Sequence, residues 1–194
     1  MSKLVSPLIP EPRPQTLIDR QVRLQGKALL ESSGWHSVRE DLFHWSTQEG
    51  ALRAVSNSEC VWWKNKRGAG RFAYVRGDVD ATVKVRVRQA KNESSEPDRA
   101  YQFGGLMLRA PKSNGWLSSE NYVFNVLGHR GPNGMQVETK STHFGWSSVS
   151  GFAWRDGDAY LRIQRTGTVF TLYARDEANN DWTRVSQYER PDLP

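Results

Sequence analysis

Cysteine is almost absent from the sequence, and so are the features that place a chain in or across a membrane. The 194 residues include one cysteine, Cys60, which excludes an internal disulfide and a metal site built from several cysteines. No apolar run approaches the roughly 18 residues of a membrane-spanning helix. Four prolines interrupt residues 1–14 and leave no apolar stretch for a secretory signal. We therefore expect a soluble, cytoplasmic protein without a membrane partner.

Motifs for the common enzyme chemistries are also missing. The sequence has no Gly-x-Ser-x-Gly elbow, no P-loop and no dinucleotide fingerprint, so acyl transfer, nucleotide hydrolysis and hydride transfer lack support. Its four histidines never stand at a close metal-binding spacing such as His-x-His. We expect no cofactor.

Short alternating runs of apolar and polar residues dominate the chain from residue 51 onward. In the clearest run, residues 81–89, alanine and three valines alternate with threonine, lysine and two arginines, which is the period of a half-buried strand. Gly, Asn, Asp and Pro separate the runs and favour turns. The other predicted strands are residues 51–56, 60–65, 71–75, 104–110, 122–127, 135–142, 147–152, 160–165, 169–175 and 182–187. This pattern predicts an all-β fold, an antiparallel sandwich or jelly roll.

Six segments carry a resemblance to a known family. They are FAYVRGDVDATVKV (72–85), FGGLMLRA (103–110), NYV (121–123), YLRIQRTG (160–167), FTLYA (170–174) and NDW (180–182). In order and spacing they resemble the small laminin-G-like domains, of the regulation-of-enolase type, in the concanavalin A-like lectin/glucanase superfamily. The resemblance implies a two-sheet antiparallel jelly-roll sandwich with one concave face, which the superfamily often uses for sugars.

The sequence departs from this family pattern at two points. Similar domains continue with one more strand after a turn like residues 190–194. We therefore expect a C-terminally truncated sandwich over residues 21–194, without its last strand and preceded by a proline-rich arm over residues 1–20. Superfamily glucanases carry Glu-x-Asp-x-x-Glu on one strand, and the nearest string here, Glu96-Pro-Asp98, lacks the third carboxylate. The lost signature predicts a domain without that catalytic activity.

Two acidic pairs at strand spacing are further candidates for chemistry: Asp78 with Asp80, and Asp156 with Asp158. Glycoside hydrolysis needs two carboxylates about 5–10 Å apart, and residues i and i+2 of a strand point the same way. Both pairs stand beside glycine, where short acidic side chains usually cap backbone amides. Their oxygens could also bind calcium, as in some laminin-G-like domains, but no EF-hand spacing is present. We predict turn capping, with no catalytic and no metal-binding residues.

Tryptophan is abundant in this sequence. Eight tryptophans in one small domain exceed the needs of a single core. Trp116, in SNGWLSS, and Trp146, in FGWSS, lie in loop-like contexts. Each either packs against the sandwich or stacks on a ligand, because exposed aromatic rings can stack on sugar faces. Both are candidate ligand-binding residues.

Strand alternation gives a second group of candidates. Counted from apolar neighbours that should be buried, Arg109, Asn125 and Glu138 point outward on their strands. We predict that these three form a polar cluster on the concave sheet. Such a cluster is either a structural network or a floor that recognises sugar hydroxyls. Tyr122 completes the candidate ligand-binding set.

The positive charge is concentrated in one segment. The net charge is +6, and residues 64–91 alone hold nine lysines and arginines against two aspartates. On the strand at 81–89, Lys84, Arg86 and Arg88 must line one face at about 6.6–6.8 Å intervals. We predict that this basic stripe lies on an outward face, where it either keeps the sheet solvated or attracts polyanions. Binding of nucleic acid or heparin-like polymers should be nonspecific and should fall steeply with salt.

The jelly-roll pattern, the aromatic excess and the lost glucanase signature predict a non-catalytic carbohydrate-binding or lectin-like module. Its expected partner is an oligosaccharide. Two alternatives remain open: an intracellular protein-interaction or regulatory module of the same fold, and a glycan-active hydrolase with an atypical site.

Overall fold

The structure is a computed structural model that describes residues 35–38, 40–56, 70–73, 77–89, 92, 94–110, 121–155 and 157–193. Within these ranges the chain forms β-strands and no α-helix, which confirms the predicted all-β class. The strands are β1 (Trp35–Val38), β2 (Phe43–Gln48), β3 (Ala51–Ser56), β4 (Gly70–Ala73), β5 (Val79–Val85), β6 (Gln102–Arg109), β7 (Tyr122–His129), β8 (Met135–His143), β9 (Trp146–Ala153), β10 (Ala159–Thr166), β11 (Val169–Arg175) and β12 (Thr183–Glu189). None of the described segments is a helix of the length and apolar character that crossing a membrane requires.

Two four-stranded antiparallel sheets organise the molecule. Sheet I has the order β12-β11-β10-β5, and sheet II has the order β6-β7-β8-β9. The chain therefore contributes one strand to sheet I, builds all of sheet II, and then returns to complete sheet I beside β5. Two shorter antiparallel pairs, β1 with β4 and β2 with β3, come before β5 in the sequence.

The two sheets pack face to face, in a β-sandwich-like arrangement. One core cluster joins Val85 and Leu161 of sheet I to Leu127 and Val137 of sheet II. A second cluster joins Val123 of sheet II to apolar side chains of sheet I and of the segment that follows β12; its other buried members are Ile163, Phe170, Leu172 and Leu193. Removal of these apolar surfaces from water is the main favourable contribution to folding.

The strands of sheet I bury one face, whereas β7 of sheet II is buried on both. Along β5 the apolar residues are more buried than the polar ones, as the alternation predicts. In β7, every residue from Tyr122 to Gly128 is buried. Its second apolar cluster, Tyr122 with Phe124 and Val126, lies on the side of sheet II that points away from sheet I.

Most predicted strands are present, with bounds that shift by a few residues. Residues 51–56 and 169–175 match β3 and β11 without a shift. The sequence pattern missed β1 and β2, whose runs are short and carry histidine and serine among the apolar residues. The arm at 1–20, the predicted strand at 60–65 and Trp116 lie outside the described residues.

Candidate functional site

The predicted polar cluster of Arg109, Asn125 and Glu138 does not form, because the three side chains do not share one place on sheet II. Arg109 is opposite Tyr122, and Glu138 is opposite Val126. These two lie on the face that points away from sheet I, called here the far face of sheet II. They are four residues apart along β7, which is about 13 Å. Asn125 belongs to the opposite face.

Asn125 points into the sandwich, where it connects the two sheets. Its side chain is fully buried, and its Nδ2 donates to the carbonyl oxygens of Tyr173 at 2.8 Å and Arg162 at 3.2 Å. Both acceptors belong to sheet I. The expectation that Asn125 faces outward with Glu138 is wrong because β7 is apolar on both faces, so its neighbours do not reveal which face is inside. In this position the amide holds the sheets together.

Glu138 and Lys140 are two buried charges on the far face of sheet II. Glu138 is 7% exposed and Lys140 is 2% exposed. Burial raises the pKa of the Glu138 carboxyl, although Arg130, whose Nη1 lies 3.4 Å from Oε2, opposes this effect. Burial also lowers the pKa of the Lys140 ammonium to about 8.

The Lys140 ammonium lies over two aromatic rings of β7, those of Tyr122 at 5.4 Å and Phe124 at 5.6 Å. Such cation–π contacts stabilise a buried ammonium ion. Tyr122 itself is fully buried. Along the four strands of sheet II, Glu138 is the one carboxylate on the far face. The described strands therefore place an acid and a base here, and no pair of carboxylates.

The turn between β8 and β9 carries an exposed group of rings, called here the aromatic tip: His143, Phe144 and Trp146. Trp146 is 83% exposed and Phe144 is 62% exposed. His143 pairs with Trp146 across the turn, and its ring centroid lies 4.4 Å from that of Phe144. The exposure of Trp146 shows that it does not pack against the sandwich, and its stacking on a ligand stays a prediction.

The backbone of the aromatic tip is a two-residue hairpin turn with positive φ at both central residues, 48° at Phe144 and 79° at Gly145. This is the geometry of a type I′ turn, which strongly prefers asparagine before glycine. A bulky residue in the left-handed region is strained, and strained residues concentrate at functional sites. The Phe144 amide donates to Asn121 Oδ1 at 2.8 Å, which fixes the turn.

Polar groups surround the aromatic tip. The His143 Nε2 lies 3.8 Å from an oxygen of Asp192, whose side chain is about one quarter exposed. Arg190 holds Asp192, because its guanidinium donates to both carboxylate oxygens at 2.7–2.8 Å. Sequence reasoning identified Trp146 but missed Phe144; the signal was available in the Phe-Gly dipeptide between two predicted strands.

Of the basic stripe, Lys84 points outward from sheet I as predicted, but β5 ends at Val85, so Arg86 and Arg88 follow the strand. One carboxylate lies close to all three cations. The Asp158 carboxylate accepts three hydrogen bonds from Nε and Nη2 of Arg86, at 2.7–3.0 Å. Its oxygens also lie 3.2 Å from Arg88 and 3.9 Å from Lys84. The expectation that Asp158 caps a turn is wrong, because pairing of β5 with β10 brings it against three cations. Asp78 does act as predicted, since it accepts from the backbone amide of Gly167 at 2.8 Å.

The outward side of sheet I alternates cations with aromatic rings, and we call it the cation–aromatic face. Its members are Lys84, Tyr160, Arg162, Tyr173, Arg175 and Trp182. The Arg175 guanidinium lies 4.2 Å from the Tyr160 ring centroid and 5.2 Å from that of Trp182. Arg162 lies 5.6 Å from the Tyr173 ring and forms an ion pair with Asp80. The alternation arises because Tyr160 is opposite Arg175 and Arg162 is opposite Tyr173.

Among the described residues no group of three or more His, Cys, Asp or Glu side chains could hold a metal ion. The chain matches no protein-family model, no curated protein and no solved structure.

Proposed function

We propose that this chain is a non-catalytic carbohydrate-binding module with a concanavalin A-like jelly-roll fold. The observation that carries the proposal is the aromatic tip, where Trp146 and Phe144 expose most of their surface to solvent. Large exposed aromatic groups usually mark contact surfaces. A pyranose ring has an apolar face that stacks on an indole, and its hydroxyls need donors and acceptors at the rim.

Two features of the tip support this interaction. Trp146 offers the stacking surface, and His143, which pairs with it across the turn and is about half exposed, offers ring nitrogen atoms on the same face. The turn is held by the Asn121 hydrogen bond and by the β8–β9 ladder. A ligand therefore meets rings whose backbone is already ordered, which lowers the entropic cost of binding.

The strand order is compatible with a two-sheet sandwich, of which the jelly roll is one kind. The chain crosses from β5 in sheet I to four consecutive strands of sheet II and returns to pair β10 with β5. The jelly-roll part of the proposal rests on the family resemblance, because such crossings occur in all sandwiches of two antiparallel sheets. The resemblance to laminin-G-like domains rests on the same segments that form β5, β6, β10 and β11.

The test is isothermal titration calorimetry with neutral oligosaccharides chosen from a glycan array, comparing wild type with Trp146→Ala. We expect binding by wild type and at least a tenfold weaker affinity in the variant, because the stacking surface is lost. The matched control is Tyr101→Ala, another aromatic ring that is 73% exposed but precedes β6 at the other end of sheet II. A folded protein that binds no glycan, or equal losses in both variants, would contradict the proposal.

A protein-interaction module is the second candidate, and the same aromatic tip favours it. Tryptophan is enriched among the residues that dominate protein–protein binding energy. The two functions differ in what competes for the tip. A protein partner that stays bound in the presence of the preferred glycan would favour this second function, and displacement by the glycan would favour carbohydrate binding.

A further inference from the structure

A cleft of about 380 Å³ lies where the end of β9 meets the connection between β11 and β12. Its volume is within the roughly 300–1,000 Å³ of small-ligand sites. Aromatic and apolar walls come from β9 and the residue after it, and charged groups come from both sides. The lining residues that matter here are Phe152, Trp154, Arg155, Arg175, Asp176 and Asp181.

Arg175 is held in place at the mouth of this cleft. Its Nη1 donates to the carbonyl oxygen of Asn179 at 3.0 Å, and its guanidinium lies over the rings of Tyr160 and Trp182. A guanidinium has five N–H donors, so most of them are left for a ligand. Because the side chain is already ordered by ring contacts, little rotamer entropy is lost when it binds an anion.

The acidic residues of the cleft have different roles. Asp176 orders the loop, since it accepts from the backbone amide of Asn179 at 2.5 Å and from its Nδ2 at 2.8 Å. These hydrogen bonds hold the pKa of the Asp176 carboxyl below its usual value. Asp181 and Arg155 are both exposed at the cleft. The site therefore offers cationic donors together with a carboxylate acceptor.

This mixture of charges selects among anionic ligands. A sugar that bears a carboxylate or a sulfate needs cations for its acid group and acceptors for its hydroxyl protons. A single-stranded nucleic acid presents bases as well as phosphates, and its bases need free aromatic faces. Here guanidinium groups already lie over Tyr160, Tyr173 and Trp182. The lining thus favours the acidic sugar.

We propose that this cleft binds an acidic saccharide unit, with its carboxylate or sulfate held by Arg155 and Arg175 and its hydroxyls hydrogen-bonded to Asp181. Arginine suits this role because its planar fork matches the two oxygens of a carboxylate. A longer acidic glycan continues from Arg175 across Trp182 onto the cation–aromatic face. This proposal rests on the proposed function because both assume a carbohydrate ligand. The cleft is, however, a different surface from the aromatic tip.

The experiment is titration calorimetry of the full chain with an oligogalacturonate, with its neutral methyl ester, with a sulfated galacto-oligosaccharide and with a DNA duplex. The variant is Arg155→Gln combined with Arg175→Gln. Arg99→Gln, an exposed arginine before β6, is the matched control. We expect the double variant to lose at least tenfold in affinity for an acidic oligosaccharide, and the control to stay within about twofold.

Arg175 also contacts the rings of Tyr160 and Trp182, so its substitution can disturb packing. Arg155→Gln alone is therefore measured as well, and it should weaken binding of the acidic oligosaccharide at least threefold without affecting the fold. Comparison of the carboxylated and the sulfated oligosaccharide shows which acid group the cleft prefers, and therefore which class of acidic glycan it binds. No preference for acidic over esterified glycan, or tighter binding of DNA that the variant weakens equally, would overturn the inference. Loss of glycan binding in Trp146→Ala, with the acid preference unchanged in the double variant, would overturn the inference and leave the proposed function standing.

Discussion

Asp158 shows how one residue can take a role that its local sequence does not reveal. It stands beside Gly157 and directly before β10, a position typical of turn capping. In the folded chain its carboxylate is 10% exposed and meets Arg86, Arg88 and Lys84. The three cations come from β5 and the segment after it, at least seventy residues away in sequence. Only the pairing of β5 with β10 creates this contact.

We predict that Asp158→Asn lowers the free energy of unfolding at pH 7 by on the order of 1–3 kcal/mol. Hydrogen bonds from Arg86 hold the pKa of the Asp158 carboxyl below its usual value. The stabilisation is therefore present above about pH 4 and is lost as the pH falls through the lowered pKa. Urea unfolding at pH 7 and at pH 3 measures the difference, which should shrink at the lower pH. Asp98→Asn, an exposed carboxylate in the loop before β6, is the control.

An equal loss in Asp98→Asn would contradict the prediction, because a general effect of net charge would then explain it. The prediction would also be contradicted if the difference in unfolding free energy between wild type and Asp158→Asn were the same at pH 3 as at pH 7. The Arg86 side chain is 63% exposed. Solvent therefore screens the ion pair, and the expected loss of unfolding free energy is smaller than for a fully buried pair.

At the residue scale, sequence alternation predicts some orientations and not others. Lys84 points outward from β5, as the alternation predicts. For Trp146 the sequence left packing and ligand stacking open, and the residue begins β9 and is exposed. Asn125 was placed on the wrong face because β7 has apolar residues on both sides. Alternation identifies the inside of a strand only when one face is polar. Arg175 and Tyr160 were missed as a pair because their contact depends on the register of β10 against β11.

At the element scale, two of the hairpins have two-residue turns of the same backbone type, and the glycine of each is visible in the sequence. The β2–β3 and β8–β9 turns have positive φ at both central residues, Glu49-Gly50 and Phe144-Gly145. Strand existence was predicted well from β5 onward because alternating valine and aromatic residues favour half-buried strands. The jelly-roll connectivity and the truncation implied by the family pattern stay predictions, and so does the arm expected from the proline-rich composition of residues 1–20. Strand partners could not be predicted because they are set by contacts that are distant in sequence.

We predict that Phe144→Asn stabilises the protein while it weakens glycan binding. Asparagine tolerates the left-handed backbone that phenylalanine adopts here at φ 48°, so the free energy of unfolding should rise by up to about 1 kcal/mol. The Asn121 hydrogen bond uses the backbone amide and is retained. Thermal and urea unfolding measure the first effect, and calorimetry with the preferred glycan measures the second. Lower stability would show instead that the Phe144 ring, 4.4 Å from His143, contributes more by packing than its backbone costs.

At the scale of the whole molecule, the two sheets are joined by polar contacts as well as by the shared core. Thr139 of sheet II hydrogen-bonds Ser186 at 2.9 Å and Tyr188 at 3.0 Å in sheet I. Arg190, which is 5% exposed, follows β12 and donates to the Tyr122 carbonyl at 3.2 Å and to Ser141 Oγ at 2.8 Å. These contacts fix one sheet relative to the other.

We predict that Leu193→Ala destabilises both sheets together. Leu193 is 4% exposed and packs in the cluster that joins Val123 of sheet II to Phe170 of sheet I. Truncation leaves a cavity between the sheets and should lower the free energy of unfolding by about 2–4 kcal/mol. Leu52→Ala, at a half-buried leucine of β3, is the matched control and should cost less. Because side chains of both sheets form the core, the two sheets should unfold together. Circular dichroism and tryptophan fluorescence should therefore report one coincident transition in urea. Two separate transitions would show instead that each sheet is stabilised by its own contacts and that the segment after β12 does not couple them.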